Sequence, residues 1–228
     1  MIRLAHPNLR MILEFKRETP LVLTLENRAF FRECVIDLKN QEEGEAGRFV
    51  LSKAWTPIAL PKVATVVTDP FRMELNSRRI LSALYKEMIA VSLDAQHHLE
   101  TLRIQSEIDA FLGELELEIP FPVVHNDSTD MNAILKAFNV RVDVENEGLP
   151  FQYAIFLKAA AELLRLKLVI FTGLHCCLTN EEIEVIHNLA EYEDLCILDI
   201  ENRKPEEVLP RERLLIVDND MCEIYNDE

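Results

Sequence analysis

Glycine is scarce, with five in 228 residues. A phosphate loop needs glycines so that backbone N–H groups can wrap a phosphate, plus a lysine and a hydroxyl. The stretch GLHCCLT at 173–179 holds one glycine and no lysine, and TLENR at 24–28 begins with no glycine or lysine at all. Nucleotide hydrolysis through such a loop is therefore not expected. No apolar run approaches the ~20 residues of a membrane span, so no membrane partner is expected. The opening residues MIRLAHPNLRMILEF carry charges and lack an apolar h-region, which argues against a signal peptide. The five cysteines are odd in number and mostly lie in apolar runs, as expected of reduced core residues in the cytoplasm. Internal repeats and low-complexity segments are absent.

Positive charge is also in short supply: 24 Lys and Arg face 40 Asp and Glu, for a net charge of −16. Taken as a whole, that argues against nucleic acid as a partner. The distribution is uneven, however. Residues 1–72 carry a net +2 and residues 148–228 a net −10. The acidity is C-terminal, and the first part of the chain retains the means to present a basic surface.

What the chain does have is a strong α/β signal at residues 163–200. KLVIFT (167–172) and LCILDI (195–200) are apolar without alternation, as strands covered on both faces read. Between them Thr179 and Glu182 spell a capping box before a helix carrying Ile183, Ile186, Leu189 and Ala190. This predicts a right-handed βαβ unit with parallel strands. Further strands are expected at 21–25, 49–51, 63–68, 140–144, 213–217 and 222–225. Asn27 is expected to cap a helix through Leu38, and 151–166 reads as another helix.

Residues 80–115 contain no proline, and their apolar residues recur at spacings of three and four, with a weak patch near 92–98. They predict one long amphipathic helix, or two in line, of ~54 Å if unbroken. Ser128 or Thr129 is expected to cap a shorter helix through Phe138. The expected fold is α/β: a nucleotide-hydrolase-like head without a phosphate loop, from residues 1–70 and 140–228, plus an inserted α-helical leg at 71–139.

Three clusters invite chemistry. His175, Cys176 and Cys177 with His187 read as core or loop packing, or else as a metal or nucleophile site; their spacing fits no zinc pattern. Glu114, Glu116 and Glu118 with Asp127 and Asp130 read as a solvated acidic rim with a helix cap, or as calcium ligands. Lys53, Lys62, Arg72, Arg78, Arg79 and Lys86 read as ordinary surface charge, or as a surface that tracks a phosphate backbone without sequence preference.

Several stretches together resemble the short-form type II-A CRISPR-associated accessory adaptation proteins. They are LVLTLEN (21–27) with Phe30, LNS (75–77) with Leu84 and Tyr85, ILKAF (134–138), KLVIF (167–171), LTNEE (178–182), and LLIVD (214–218) through CEIY (222–225). The resemblance implies a homotetrameric ring that threads double-stranded DNA ends through a basic hole. It also implies calcium in the helical region, no catalytic activity, and a part in spacer acquisition beside the adaptation integrase and effector nuclease proteins. Asp127 matches one calcium position. His125 and Ala133 stand where further acids are expected, which leaves a weakened site, one moved to Asp130 or Glu118, or none. The DNA contacts expected remain the six cations named above. The rival readings are a protein-interaction scaffold without DNA contact and a divergent nucleotide hydrolase.

Overall fold

A computed structural model describes residues 1–126, 130–144 and 147–225. Its elements run β1 (Ile2–Ala5), β2 (Leu13–Phe15), β3 (Leu21–Leu25), α1 (Arg28–Glu42), β4 (Val50–Lys53), β5 (Thr56–Pro57), β6 (Ala64–Val67), α2 (Arg78–Ser92), α3 (His98–Glu118), α4 (Met131–Ala137), α5 (Leu149–Lys158), β7 (Leu168–Thr172), α6 (Leu174–Cys177), α7 (Asn180–Tyr192), β8 (Cys196–Glu201), β9 (Arg213–Val217) and β10 (Glu223–Tyr225). A 3-10 turn, Leu60–Lys62, precedes β6, and a π-helical segment, Ala159–Leu163, extends α5. The fold is mixed α/β with helical parts. It forms two compact units: Met1–Glu74 with Val144–Glu228, and Leu75–Asp143.

In the α/β unit a six-stranded sheet runs β10-β9-β3-β8-β7-β6. All but β10 are parallel to their neighbours, with Leu23 beside Ile200 and Leu215, and Ile170 beside Leu198. Every residue of β3, β7 and β8 is buried, which is why these segments lack alternation. Leu23, Ile170 and Leu198 share a core with Phe30, Cys34 and Leu38 of α1. The other face takes Tyr153 of α5, whose ring lies 5.7 Å from that of Phe171. The expected βαβ unit is present: β7 and β8 are parallel neighbours joined through α7. Thr179 Oγ1 accepts from Glu182 N at 3.3 Å, and Glu182 returns a carboxylate oxygen to Thr179 N at 2.8 Å. A second, antiparallel sheet, β2-β1-β4-β5, joins the same core through Ile2, Leu4, Phe15 and Leu51. Its strands are too short for their alternation to stand out in sequence.

The helical unit decides between the two alternatives for residues 80–115 and corrects two other expectations. The long helix is two, broken between Ser92 and His98 without glycine or proline. Asp94 breaks it: its carboxylate accepts from the backbone N–H of Gln96 and of His97, both at 2.9 Å, in competition with the helix ladder. Thr101 Oγ1 then donates to Ser92 O at 2.7 Å across the break. Second, Asp130 is the N-cap of α4, accepting from Asn132 N; Ser128 and Thr129 lie outside the described residues. Third, residues 140–144 form no strand. Asn139 in the left-handed region (φ 49°) ends α4, and Val140 N donates back to Leu135 O. Asn76 then imitates a neighbouring strand: its side-chain amide donates to Val142 O at 3.0 Å and accepts from Val142 N at 2.9 Å. Tyr85 Oη donates to Val140 O at 2.8 Å.

The cysteine expectation is corrected as well. All five are free, but only Cys34 and Cys196 are buried. Cys176 and Cys222 are exposed because the one-turn helix α6 and the turn before β10 lie at the surface. No helix among the described residues is long and apolar enough to cross a membrane.

Candidate functional site

The structure distributes the six predicted cations over both units. Lys53 ends β4 and Lys62 ends the 3-10 turn, and both line a groove of about 640 Å³ in the α/β unit. Val63, Lys167 and Cys196 place this groove where β6, β7 and β8 begin. Lys16, Arg17, Arg165 and Lys167 line it too, so six cations face two carboxylates, Glu18 and Asp194. Asp194 accepts from Lys167 Nζ at 2.5 Å and from Arg17. Those two hydrogen bonds, Lys167 first, hold its carboxyl below the usual range. The groove keeps a surplus of positive charge.

In the helical unit Arg78 and Lys86 line a second hollow, also of about 640 Å³, with Lys136. Arg78, Ser82 and Lys86 recur every four residues along α2 and so share a face, while Lys136 comes from α4. No carboxylate lines this hollow among the described residues. Arg79 and Arg72 are not part of either lining; Arg72 is exposed beyond the turn at Asp69.

The expected calcium ligands are not gathered among the described residues. Glu118 is exposed at the end of α3, Asp130 is occupied as the α4 cap, and Asp127 lies outside the described residues. His125, where an acid was expected, pairs instead with two: Glu116 at 2.6 Å and Asp109 at 2.9 Å. Both hydrogen bonds, Glu116 first, raise its pKa above the ordinary value.

A third constellation lies where β7 and β8 end, at the carboxyl edge of the parallel strands. Asp199 and Glu201 alternate along β8 and so share one face, with side chains 1% exposed. Gly173, in the left-handed region (φ 80°), turns the chain so that α6 meets them. His175 N donates to Glu201 Oε1 at 2.7 Å, and Leu174 N to Asp199 Oδ1 at 3.3 Å. The His175 ring lies between Asp199 Oδ2, 2.9 Å from Nδ1, and Glu212 Oε2, 3.2 Å from Nε2. Burial works against its charge, but hydrogen bonds to Asp199 and Glu212 prevail and raise its pKa to about 10. Burial, then the Asp199 charge, pushes Glu201 up to about 7. Burial drives neighbouring His187 down to about 4. Cys176 Sγ lies 3.3 Å from Glu201 Oε2, and burial followed by that bond raises the thiol to about 11. Such a thiol is not an activated nucleophile.

The first loop of the sheet takes a different form. Asn27 follows β3 and its Oδ1 accepts from Ala29 N and Phe30 N, both at 3.1 Å, while Nδ2 donates to Asn219 O. The N-terminus of α1, where a phosphate loop would hold its ligand, is closed by this side chain.

The family model described as CRISPR-associated protein (Cas_Csn2) matches residues 41–221. The chain belongs to that family. Its role is accordingly CRISPR-associated. No curated protein matches the chain. The Cas_Csn2 match spans the helical hollow, the buried His175 constellation and most of the groove, while Lys16 and Arg17 precede it.

Sequence reasoning missed the partners more than the places. Lys16, Arg17, Arg165 and Lys167 are far from Lys53 in the chain and meet it only through the sheet. Asp199 was readable as an acid inside the expected strand 195–200, which is a signal on its own because buried carboxylates need partners, whereas Glu201 fell just past that strand's expected end. Glu212 carried no such mark.

Proposed function

We propose that this Cas_Csn2 chain binds double-stranded DNA ends without sequence preference, as a homotetrameric ring, during CRISPR spacer acquisition. The observation that carries this reading is the pair of basic hollows in a chain of net charge −16. An acidic protein that concentrates lysine and arginine in two acid-poor concavities favours a phosphate backbone there. The contacts are non-enzymatic: Lys53, Lys62 and the cations beside them position phosphates, and no base edge is read. The closed α1 N-terminus supports a role without nucleotide hydrolysis. The ring would act in the cytoplasm and hand ends to the adaptation integrase and the effector nuclease.

Calcium fits this reading as a brace for the helical unit near Glu118, Asp127 and Asp130. Chelation is expected to lower tetramer mass or duplex affinity, and a chain unchanged in both would remove calcium from the account.

A scaffold reading is favoured by a separate observation. The helical unit exposes Leu99, Phe111, Leu117 and Phe138, a surface fit for a protein partner. Competition between linear and closed-circular duplex at two salt concentrations distinguishes the readings. Linear DNA is expected to bind more tightly, with log affinity falling linearly in log salt. Equal affinity for both forms would remove threading, and no binding at low salt would leave only the scaffold. Reversal of Lys53 and Lys62 to Glu, and separately of Arg78 and Lys86, is expected to lower affinity at least tenfold. Each pair should reduce the salt slope by about 2.

A further inference from the structure

The constellation at the ends of β7 and β8 lines neither basic hollow, yet it gathers a histidine, a thiol and three carboxyl groups in one place. We propose that His175, Asp199 and Glu201 form a binding site for a divalent transition metal of the zinc type.

Three observations support it. The first is proximity: one donor atom each from His175, Asp199 and Glu201 lies within 4.8 Å of the other two, the sole such trio among the described residues. Nδ1 of His175 lies 2.9 Å from Asp199 Oδ2 and 3.9 Å from Glu201 Oε1. Ligand atoms about 2.0–2.3 Å from a tetrahedral zinc are separated by distances of this order.

The second is support around the ligands. Ligating histidines donate their other ring N–H to a carboxylate, which fixes the tautomer and raises the basicity of the ligating nitrogen. Here His175 Nε2 meets Glu212 Oε2 at 3.2 Å, leaving Nδ1 as the inward-facing ligand. Backbone N–H groups of Leu174 and His175 hold the Asp199 and Glu201 carboxylates in turn.

The third is charge. Three carboxyl side chains at most 1% exposed surround the His175 ring, and no lysine or arginine pairs with them among the described residues. Glu212 Oε1 is buried with no hydrogen-bond partner, and His187 Nε2 is 3.6 Å away from it. Buried carboxylates in excess of cations are costly, and a divalent ion removes the excess. The mixed N and O donors suit zinc or cobalt, whereas calcium requires six to eight oxygens. On binding, His175 Nδ1 releases its proton to solvent as its bond to the metal forms. Cys176 stands at the surface and provides the entry side.

The test is titration of the chelator-stripped full chain with cobalt(II), followed by absorption spectroscopy. Expected are one cobalt per chain and tetrahedral visible bands that zinc abolishes. Cys176→Ser should keep both. Asp199→Asn should weaken binding while its circular dichroism reports folding. Absence of tetrahedral bands in the parent chain overturns the proposal, as does unchanged cobalt affinity in folded Asp199→Asn.

Discussion

In the α/β unit every residue of β3, β7 and β8 is buried, whereas α3, the longest helix, buries only Thr101. The contrast extends to whole units. Among its described residues the helical unit buries four large apolar side chains, Leu75, Ile80, Tyr85 and Leu135, and exposes fifteen, Phe111, Leu117, Val124 and Phe138 among them. One unit has closed its core, and the other keeps much of its apolar surface for contact. An amphipathic helix draws most of its stability from packing of that apolar face, so α3 depends on a partner in a way β7 does not. A second copy of the chain is the partner our functional reading supplies.

The comparison can be broken at several points. The largest effect is expected in the closed core. Leu198→Ala should cost about 2–5 kcal/mol in denaturant unfolding, because the surrounding sheet cannot collapse around the cavity. Leu117→Ala, at a position 89% exposed, should change the same measurement by about 0.5 kcal/mol or less. Similar costs at both sites would show that the two units do not differ as described.

Assembly comes next. Phe111→Asp with Leu112→Asp is expected to lower the solution mass, while Ile36→Asp on the exposed face of α1 should not. Unchanged mass in the first variant would mean that α3 is not the seam between copies.

The helix caps sharpen the contrast further. Thr179→Ala should cost about 1 kcal/mol of global stability, because α7 is packed on the sheet. Asp130→Ala removes a cap of similar intrinsic strength from the seven-residue α4. Its effect should appear as faster amide exchange confined to α4, with the global unfolding midpoint nearly unchanged.

The smallest effect concerns pH. Burial first, and Arg48 next, lower the pKa of His6, which packs between Phe30 and Phe49. A histidine held neutral in the fold contributes stability that is complete above its unfolded pKa, about 6.5, and declines as pH falls through the folded value. The α/β unit should therefore lose stability below about pH 6.5, and His6→Phe should flatten that decline. An unchanged slope would assign the acid response to other groups.

The elements most legible in the sequence were those with strong local chemistry. Asn27 and Thr179 cap their helices as expected, because a side-chain oxygen two or three residues from an unpaired N–H needs no distant help. The break at Asp94 was only faintly marked, since an aspartate that competes for backbone N–H groups resembles any polar residue on a helix surface. Asn76 and Tyr85 belong to stretches that carried the family resemblance. Their physical role, holding residues 140–142 by side-chain hydrogen bonds, was invisible because it joins positions 55 to 66 residues apart.

By itself, the sequence determined the two parallel strands and their crossover, the main helix starts, and the lack of a glycine-rich phosphate cradle. These follow from periodicity, capping and residue supply, all local properties. Tertiary structure alone decided which charges meet. It brought Lys16, Lys53, Lys62 and Arg165 to one groove and His175, Asp199 and Glu212 to one buried cluster. Electrostatic energy depends on separation in space and on exclusion of water, and neither is set by separation along the chain.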